Sequence, residues 1–260
     1  MKLNSLAVVL GLATLGACEK GTPRDITAPV SGAEIKFFNF AVAAAPATTP
    51  VVNFYANNTK VSAILTSSGT ESTLGTGTGA VGNGGFYSVL APGAYTVTGR
   101  VAAAADNGVS IASLPVTLVD GKFYSFYMSG NYNTTSKTTE AFVVEDLVPA
   151  LPSPTLAYVR FVNASANAAP MTLFAKSTVS GTELAIGAAV AYKAAGDFAT
   201  IPEGVYDLST RLGGSGANAV TRTNVSFLAG RVYTISAFGD ATVTSATAAN
   251  RIRLDNTTNR

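Results

Sequence analysis

The chain contains no histidine and no tryptophan, and it has a single cysteine among its 260 residues. The lack of histidine excludes catalytic Ser-His-Asp and Cys-His arrangements and histidine-containing metal sites. With one cysteine the chain forms no internal disulfide bond, so packing alone must stabilise its folded state. No uninterrupted apolar run reaches the roughly 20 residues that a membrane-spanning helix needs. We therefore expect a soluble folded body.

Charge is scarce as well, at 12% of residues, with 17 basic and 15 acidic side chains. Phosphate backbones are bound by concentrated lysine and arginine, and no basic cluster occurs here, so we expect no nucleic-acid partner. The glycine-rich run 75–79 lacks the lysine of a phosphate-binding loop, and no Asp-x-Asp-x-Asp calcium loop occurs. The sequence therefore predicts neither a cofactor nor a metal site.

Carboxylates are the remaining candidates for catalysis. Glu145 and Asp146 are adjacent, and neighbouring residues of a strand point to opposite faces of the sheet. Asp197, Glu203 and Asp207 are close in sequence, but Glu203 falls in a predicted turn, where acids are common and solvated. Because a glycosidase needs two facing carboxylates, we predict that the protein is not an enzyme.

The single cysteine, Cys18, ends a segment typical of a secretory signal. Lys2 supplies a positive charge, an apolar stretch follows at 6–15, and small residues precede the cysteine. This ending is similar to the lipobox of bacterial lipoproteins, in which the cysteine is lipidated. We predict a signal peptide at 1–17, a membrane attachment through lipid at Cys18 and a location in the cell envelope outside the cytoplasm. If the cell has two membranes, the outer one is expected. The alternative is a secreted protein with an unmodified thiol.

Beyond the signal, the composition and an internal repeat predict an all-β protein. Valine and threonine, which favour strands, and glycine and asparagine, which favour turns, are abundant, and long helical patterns are absent. The matching segments are 35–39 with 159–163, 90–97 with 201–208, and 116–124 with 225–233. Each copy has room for about seven short strands separated by turns, which favours an immunoglobulin-like sandwich.

These segments place two tandem immunoglobulin-like β-sandwich domains in the chain. A short tether at 18–32 leads to the first domain, 33–148, and the second domain is 155–260. Three prolines in the linker 149–154 favour an extended spacer. We expect a cut in this linker to yield two fragments that each fold.

Four tyrosines follow glycines at matching places in the copies. Tyr124 and Tyr233 come three residues after a glycine, and Tyr95 and Tyr206 come two residues after one. The layout resembles a tyrosine corner, in which the phenol hydroxyl binds backbone a few residues upstream. We predict that these tyrosines stabilise loops.

The second copy carries the pattern Val-Arg-Phe-Val-Asn-Ala-Ser at 159–165 and Ala-Gly-Arg-Val-Tyr-Thr at 229–234. With a Pro-x-Gly-x-Tyr-like centre, this resembles the DUF4397 family of bacterial and archaeal surface proteins. The first copy is degenerate, with Phe-Phe-Asn-Phe-Ala at the equivalent start. The resemblance covers nearly all of the chain after the signal. It implies the fold and the location, and it implies no activity.

The aromatic residues of the first copy suggest a binding surface. Phe123 and Tyr127 lie on the strand face opposite to the predicted core residues Tyr124, Phe126 and Met128, and the second copy has smaller residues in their place. If exposed, they are candidate ligand-binding residues that stack on sugars or contact a protein. The alternative is that the neighbouring domain or the 67–85 loop covers them.

Taken together, the sequence predicts a lipid-anchored, non-catalytic envelope protein with a structural or adhesive role. The alternative is a glycan-binding surface module that uses Phe123 and Tyr127. Envelope glycans or proteins are the expected partners beside the membrane.

Overall fold

The computed structural model describes residues 31–62, 74–149, 152–213 and 215–259, and β-strands dominate them. The predicted signal segment, Cys18 and the linker residues 150 and 151 lie outside these ranges. None of the helical structure within the ranges is long and apolar enough to span a membrane. Residues from Ser31 onward belong to one compact unit.

The described part of the first half contains nine strands and a 3-10 turn at Gly82–Gly85. The strands are β1 Ala33–Asn39, β2 Val52–Ala56, β3 Thr59–Lys60, β4 Ala80–Val81, β5 Ser88–Leu90, β6 Gly93–Val101, β7 Ser110–Leu118, β8 Phe123–Asn133 and β9 Thr138–Glu145.

The described part of the second half also contains nine strands, in the same order. They are β10 Leu156–Ala166, β11 Met171–Ser177, β12 Glu183–Val190, β13 Ala194–Ala195, β14 Ala199–Pro202, β15 Gly204–Leu212, β16 Asn218–Phe227, β17 Val232–Asp240 and β18 Arg253–Thr258.

Each half is a sandwich of two sheets, and the strand order is the same in both. In the first half one sheet runs β4-β1-β8-β9, with β5 also paired to β1, and the other runs β3-β2-β6-β7. The second half repeats this as β13-β10-β17-β18, with β14 paired to β10, and β12-β11-β15-β16. The predicted all-β fold with two sandwiches is confirmed. β1 runs parallel to β8, and β10 to β17, whereas the other pairs between the described strands are antiparallel.

Alternation along β8 and β17 fills the two cores. Tyr124, Phe126 and Met128 lie in the core of the first half, and their counterparts in β17 lie in the core of the second. The predicted core face is therefore confirmed, because successive side chains of a strand point to opposite faces.

The four tyrosines of the repeat bind backbone as predicted. Each hydroxyl reaches a main-chain atom four or five residues upstream, so it fastens a turn to the strand that follows. The four bonds run from Val119 N to Tyr124 Oη (3.3 Å), from Leu228 N to Tyr233 Oη (3.1 Å), from Tyr95 Oη to Ala91 O (2.8 Å) and from Tyr206 Oη to Pro202 O (2.9 Å).

A third apolar cluster joins the two halves. It lies where the β4-β1-β8-β9 sheet faces the β13-β10-β17-β18 sheet, an interface that we call the seam. Phe40 from one half stacks on Phe238 from the other, with ring centroids 4.5 Å apart. The cluster members are Phe38, Phe40, Val42, Tyr127 and Phe142 of the first half and Val162, Ala164 and Phe238 of the second.

Candidate functional site

The predicted aromatic pair on β8 does not form an open surface. Tyr127 is fully buried in the seam, and its ring stacks on Phe38 at 4.4 Å and on Phe142 at 4.9 Å between centroids. Burial also raises the pKa of the Tyr127 hydroxyl. Phe123 is half-buried, edge-on to Tyr87. Tyr127 therefore lacks the exposure that the binding hypothesis requires, and residues of the second half are among those that cover it.

Two buried cations occupy the same position in the two copies. Lys36 on β1 and Arg160 on β10 are each 2% exposed, and each points away from its own core into the seam. Each cation also lies over an aromatic ring. This ring belongs to the residue directly before an edge strand, which is β5 in the first half and its equivalent β14 in the second. The Lys36 Nζ atom is 4.4 Å from the ring centre of Tyr87, and the Arg160 Cζ atom is 4.8 Å from that of Phe198.

Each cation binds the last strand of the other half. Arg160 donates to the backbone oxygen of Glu145 at 3.2 Å, and Lys36 donates to that of Thr258 at 2.5 Å. Glu145 and Thr258 are equivalent, since they pair with the corner tyrosines Tyr124 and Tyr233 of β8 and β17. The seam is therefore a pseudo-two-fold contact between two copies of one sheet.

The residue that follows Glu145 differs from the residue that follows Thr258, and this difference breaks the two-fold symmetry of the seam. In the first half it is Asp146, 2% exposed, which forms an ion pair with the guanidinium of Arg160. In the second half it is Asn259, whose amide nitrogen donates to the Tyr87 hydroxyl at 2.8 Å. The Arg160 end of the seam thus holds a buried carboxylate, and the Lys36 end holds an amide.

Hydrogen bonds connect the two ends. Asp146 Oδ2 accepts from the hydroxyls of Ser125 and Tyr87, both at 2.7 Å. Thr234 accepts from Arg160 Nε at 3.0 Å and donates to Asn259 Oδ1 at 2.7 Å. Every oxygen of Asp146 is therefore occupied within the seam.

A second polar contact crosses the seam at Asp240. Its Oδ2 atom accepts from the amides of Asn131 and Asn167, each at 3.0 Å, and only Asn131 belongs to the first half. Burial alone would raise the pKa of Asp240, but bonds from Thr242 and the two amides outweigh it and lower the pKa. Asp240 therefore holds the halves together as an acceptor.

Burial lowers the pKa of Lys36 to about 8, with the nearby Asp146 carboxylate opposing part of that shift. Within the described residues Lys36 forms no ion pair with a carboxylate. Its charge is thus retained at pH 7 against a substantial desolvation cost.

A cleft of about 670 Å³ opens beside Lys36, between the two halves. Its lining includes Phe86, which is 74% exposed, and Arg231, Asp255 and Asn256. A smaller pocket of about 330 Å³ lies beside Asp146 and is lined by residues of the first half. The larger volume lies within the ~300–1,000 Å³ of small-ligand pockets, which favour boundaries between domains.

Polar groups of β18 line the same cleft. Burial raises the pKa of Asp255, which accepts a hydrogen bond from the Thr257 hydroxyl at 2.6 Å. The Oδ1 atom of Asn256 is buried and has no hydrogen-bond partner among the described residues. A buried acceptor of this kind is costly unless a partner is supplied. Asn256 pairs with the core residue Ile235, so this acceptor lies on the core side of β18 and does not face the cleft.

Sequence reasoning missed Lys36 and Arg160, and it considered Asp146 only as a candidate catalytic carboxylate. The signal that marks the two cations is a charged residue inside an otherwise apolar strand, repeated in both copies as Ile-Lys-Phe-Phe and Val-Arg-Phe-Val. Residues of this kind are rarely fully buried without a partner. In the part of the chain that the structure describes, no three His, Cys, Asp or Glu residues are grouped as metal ligands would be.

No curated protein shows significant similarity to the chain. The model of a domain of unknown function, DUF4397, matches residues 33–174 and again residues 157–259. These two matches span both sandwiches and the repeated strands that build the seam, and we conclude that the chain belongs to the DUF4397 family.

Proposed function

We propose that the protein is a lipid-anchored, non-catalytic component of the cell envelope with a structural or adhesive role, attached to a membrane through Cys18. The observation that carries the proposal is the seam. Two sandwiches are joined there by an apolar cluster and a buried ion pair between Arg160 and Asp146. Such a joint suits a protein that presents a β surface at a distance from its anchor.

The positions of the candidate carboxylates support a non-catalytic role. Asp146 is held by Arg160, Ser125 and Tyr87, while Glu145 faces outward and pairs with Lys122 at 2.9 Å. The two acids are thus engaged on opposite sides of the strand end. They do not form the facing pair that acid–base hydrolysis needs.

A second candidate function, glycan binding, is favoured by the cleft beside Lys36 rather than by Phe123 and Tyr127. The cleft presents an exposed aromatic ring, Phe86, together with charged and amide side chains. Saccharide recognition commonly needs both an aromatic face and directed polar groups.

The anchoring proposal is tested with Cys18→Ala. This variant should lose labelling by an alkyne fatty acid and leave the membrane fraction, because the thiol is the proposed attachment atom. Ser5→Ala, in the same segment, is the control and should be labelled like the natural chain. A natural chain that takes up no label would overturn lipid anchoring.

A further inference from the structure

The two ends of the seam differ, because one of the two equivalent cations lacks the carboxylate partner that the other has. Arg160 has Asp146, but Asn259 occupies the equivalent place near Lys36. An ammonium group has three donors, and in the described residues Lys36 Nζ uses one of them, on Thr258 O. The missing element at the Lys36 end is a carboxylate.

The cleft supplies the space for such a carboxylate to come from outside. Lys36 forms part of its lining, and Arg231 adds a second cation to its wall. Asp255 is the acidic residue of the lining. It accepts a hydrogen bond from the Thr257 hydroxyl, and the positive charge of Arg222 favours its charged form. Two cations against one engaged acid favour an anionic ligand.

Other groups of the wall indicate what the rest of the ligand is. The ring of Phe86 is 74% exposed although it lies on the cleft, so it offers a flat apolar face. Thr257 and Asn259 in the same lining bring a hydroxyl and an amide, which form hydrogen bonds with hydroxyl groups. An apolar face with hydroxyl-binding groups fits a pyranose ring.

We infer that the cleft binds an acidic saccharide, with the carboxylate of a uronic acid unit at Lys36 and the sugar face on Phe86. The inference names a ligand for the adhesive role proposed above and rests on that role. It uses neither Phe123 nor Tyr127.

The test is calorimetric titration of the full chain, solubilised in detergent, with an alginate tetrasaccharide, which consists of uronic acids. Maltotetraose, of equal length and without charge, is the matched ligand. We expect binding of the first and none of the second. Phe86→Ser and Lys36→Met should each weaken binding tenfold or more, whereas Val179→Ser, at a 92% exposed apolar residue outside the cleft, should leave it unchanged.

Three results would overturn the inference: no binding of the acidic tetrasaccharide, equal binding of both, or binding that Phe86→Ser does not weaken. Phe86 is exposed, so its variant remains informative even if Lys36→Met fails to fold. Fatty-acid labelling of Cys18 is independent of these titrations. A labelled protein that binds neither sugar would therefore lose this inference alone.

Discussion

Single hydroxyl groups fasten the turns of both sandwiches, and their loss should be measurable. Tyr124→Phe and Tyr233→Phe each remove the acceptor of a backbone N–H. We expect each to lower the free energy of unfolding by about 1 kcal/mol and the melting temperature by roughly 2–4 °C in a body of this size. Differential scanning calorimetry measures the shift.

The control for the tyrosine variants is Tyr55→Phe. The Tyr55 ring lies under Arg100, and among the described residues its hydroxyl has no hydrogen-bond partner, so little change is expected. If the corner variants melt at the same temperature as the control, their hydroxyls contribute nothing to stability.

Lys36 makes the stability of the protein depend on pH. Its pKa is about 8 in the folded state against 10.5 for an ordinary lysine, so between these values the unfolded chain binds more protons and stability rises with pH. Below pH 8 both states are protonated and the full cost of burial, about 3 kcal/mol, is present. Lys36→Met removes this dependence.

We expect Lys36→Met to raise the free energy of unfolding above that of the natural chain, and to do so by the largest amount at pH 7. Its advantage should shrink by about 2–3 kcal/mol as pH rises to 10.5. Urea unfolding at several pH values gives both curves. Lys176→Met, at an exposed lysine, should follow the natural chain, and a constant difference between Lys36→Met and the natural chain would contradict the lowered pKa.

Among the elements, strand β8 illustrates how much of the fold could be predicted from sequence. Its core face was correctly predicted from the alternation of large apolar residues. Its other face carries Ser125 and Ser129 on either side of Tyr127, and serine is normally exposed, so this face was compatible with a solvated surface. Both serines are fully buried in the seam, because they hydrogen-bond to partners that only tertiary packing supplies. The repeat therefore predicted two sandwiches, and their contact was foreseen only as the alternative in which the neighbouring domain covers the aromatic residues of β8.

The end of β9 and the middle of β10 are joined by the ion pair between Asp146 and Arg160. Removing one partner leaves an uncompensated buried charge, so Arg160→Met and Asp146→Leu should each cost about 3–5 kcal/mol of unfolding free energy. The double variant should recover much of this loss. Chemical denaturation of all four proteins measures the coupling energy.

The exposed ion pair between Lys137 and Asp106 is the control for this set of single and double variants. Its two single variants and its double variant should have little effect on stability, since water screens such pairs. Additive costs at Arg160 and Asp146 would show that the buried pair is not coupled.

For the molecule as a whole, the seam predicts that the halves stay together without the linker. If a protease site replaces residues 150–151, the cut chain should elute from a sizing column like the intact one, because the third apolar cluster holds it. Phe238→Asp, in that cluster, should let the cut halves separate while each keeps the circular dichroism of a β protein.

Two results would contradict this picture of the whole molecule. Halves that separate without Phe238→Asp would show that the seam is weak. Halves that both lose their β signal would show that they share one core, and the predicted boundary at 149–154 would be wrong.

The parallel pairing of β1 with β8 has a consequence for the time course of folding. β1 aligns Glu34 with Phe123, so the first strand of the first half lacks its central neighbour until most of that half has left the ribosome. β10 waits in the same way for β17. Pairings between such distant segments slow folding, and chains fold in the order of their synthesis. The β4-β1-β8-β9 sheet and its counterpart in the second half should therefore be completed only when β8 or β17 arrives, and the first sandwich should close before the second.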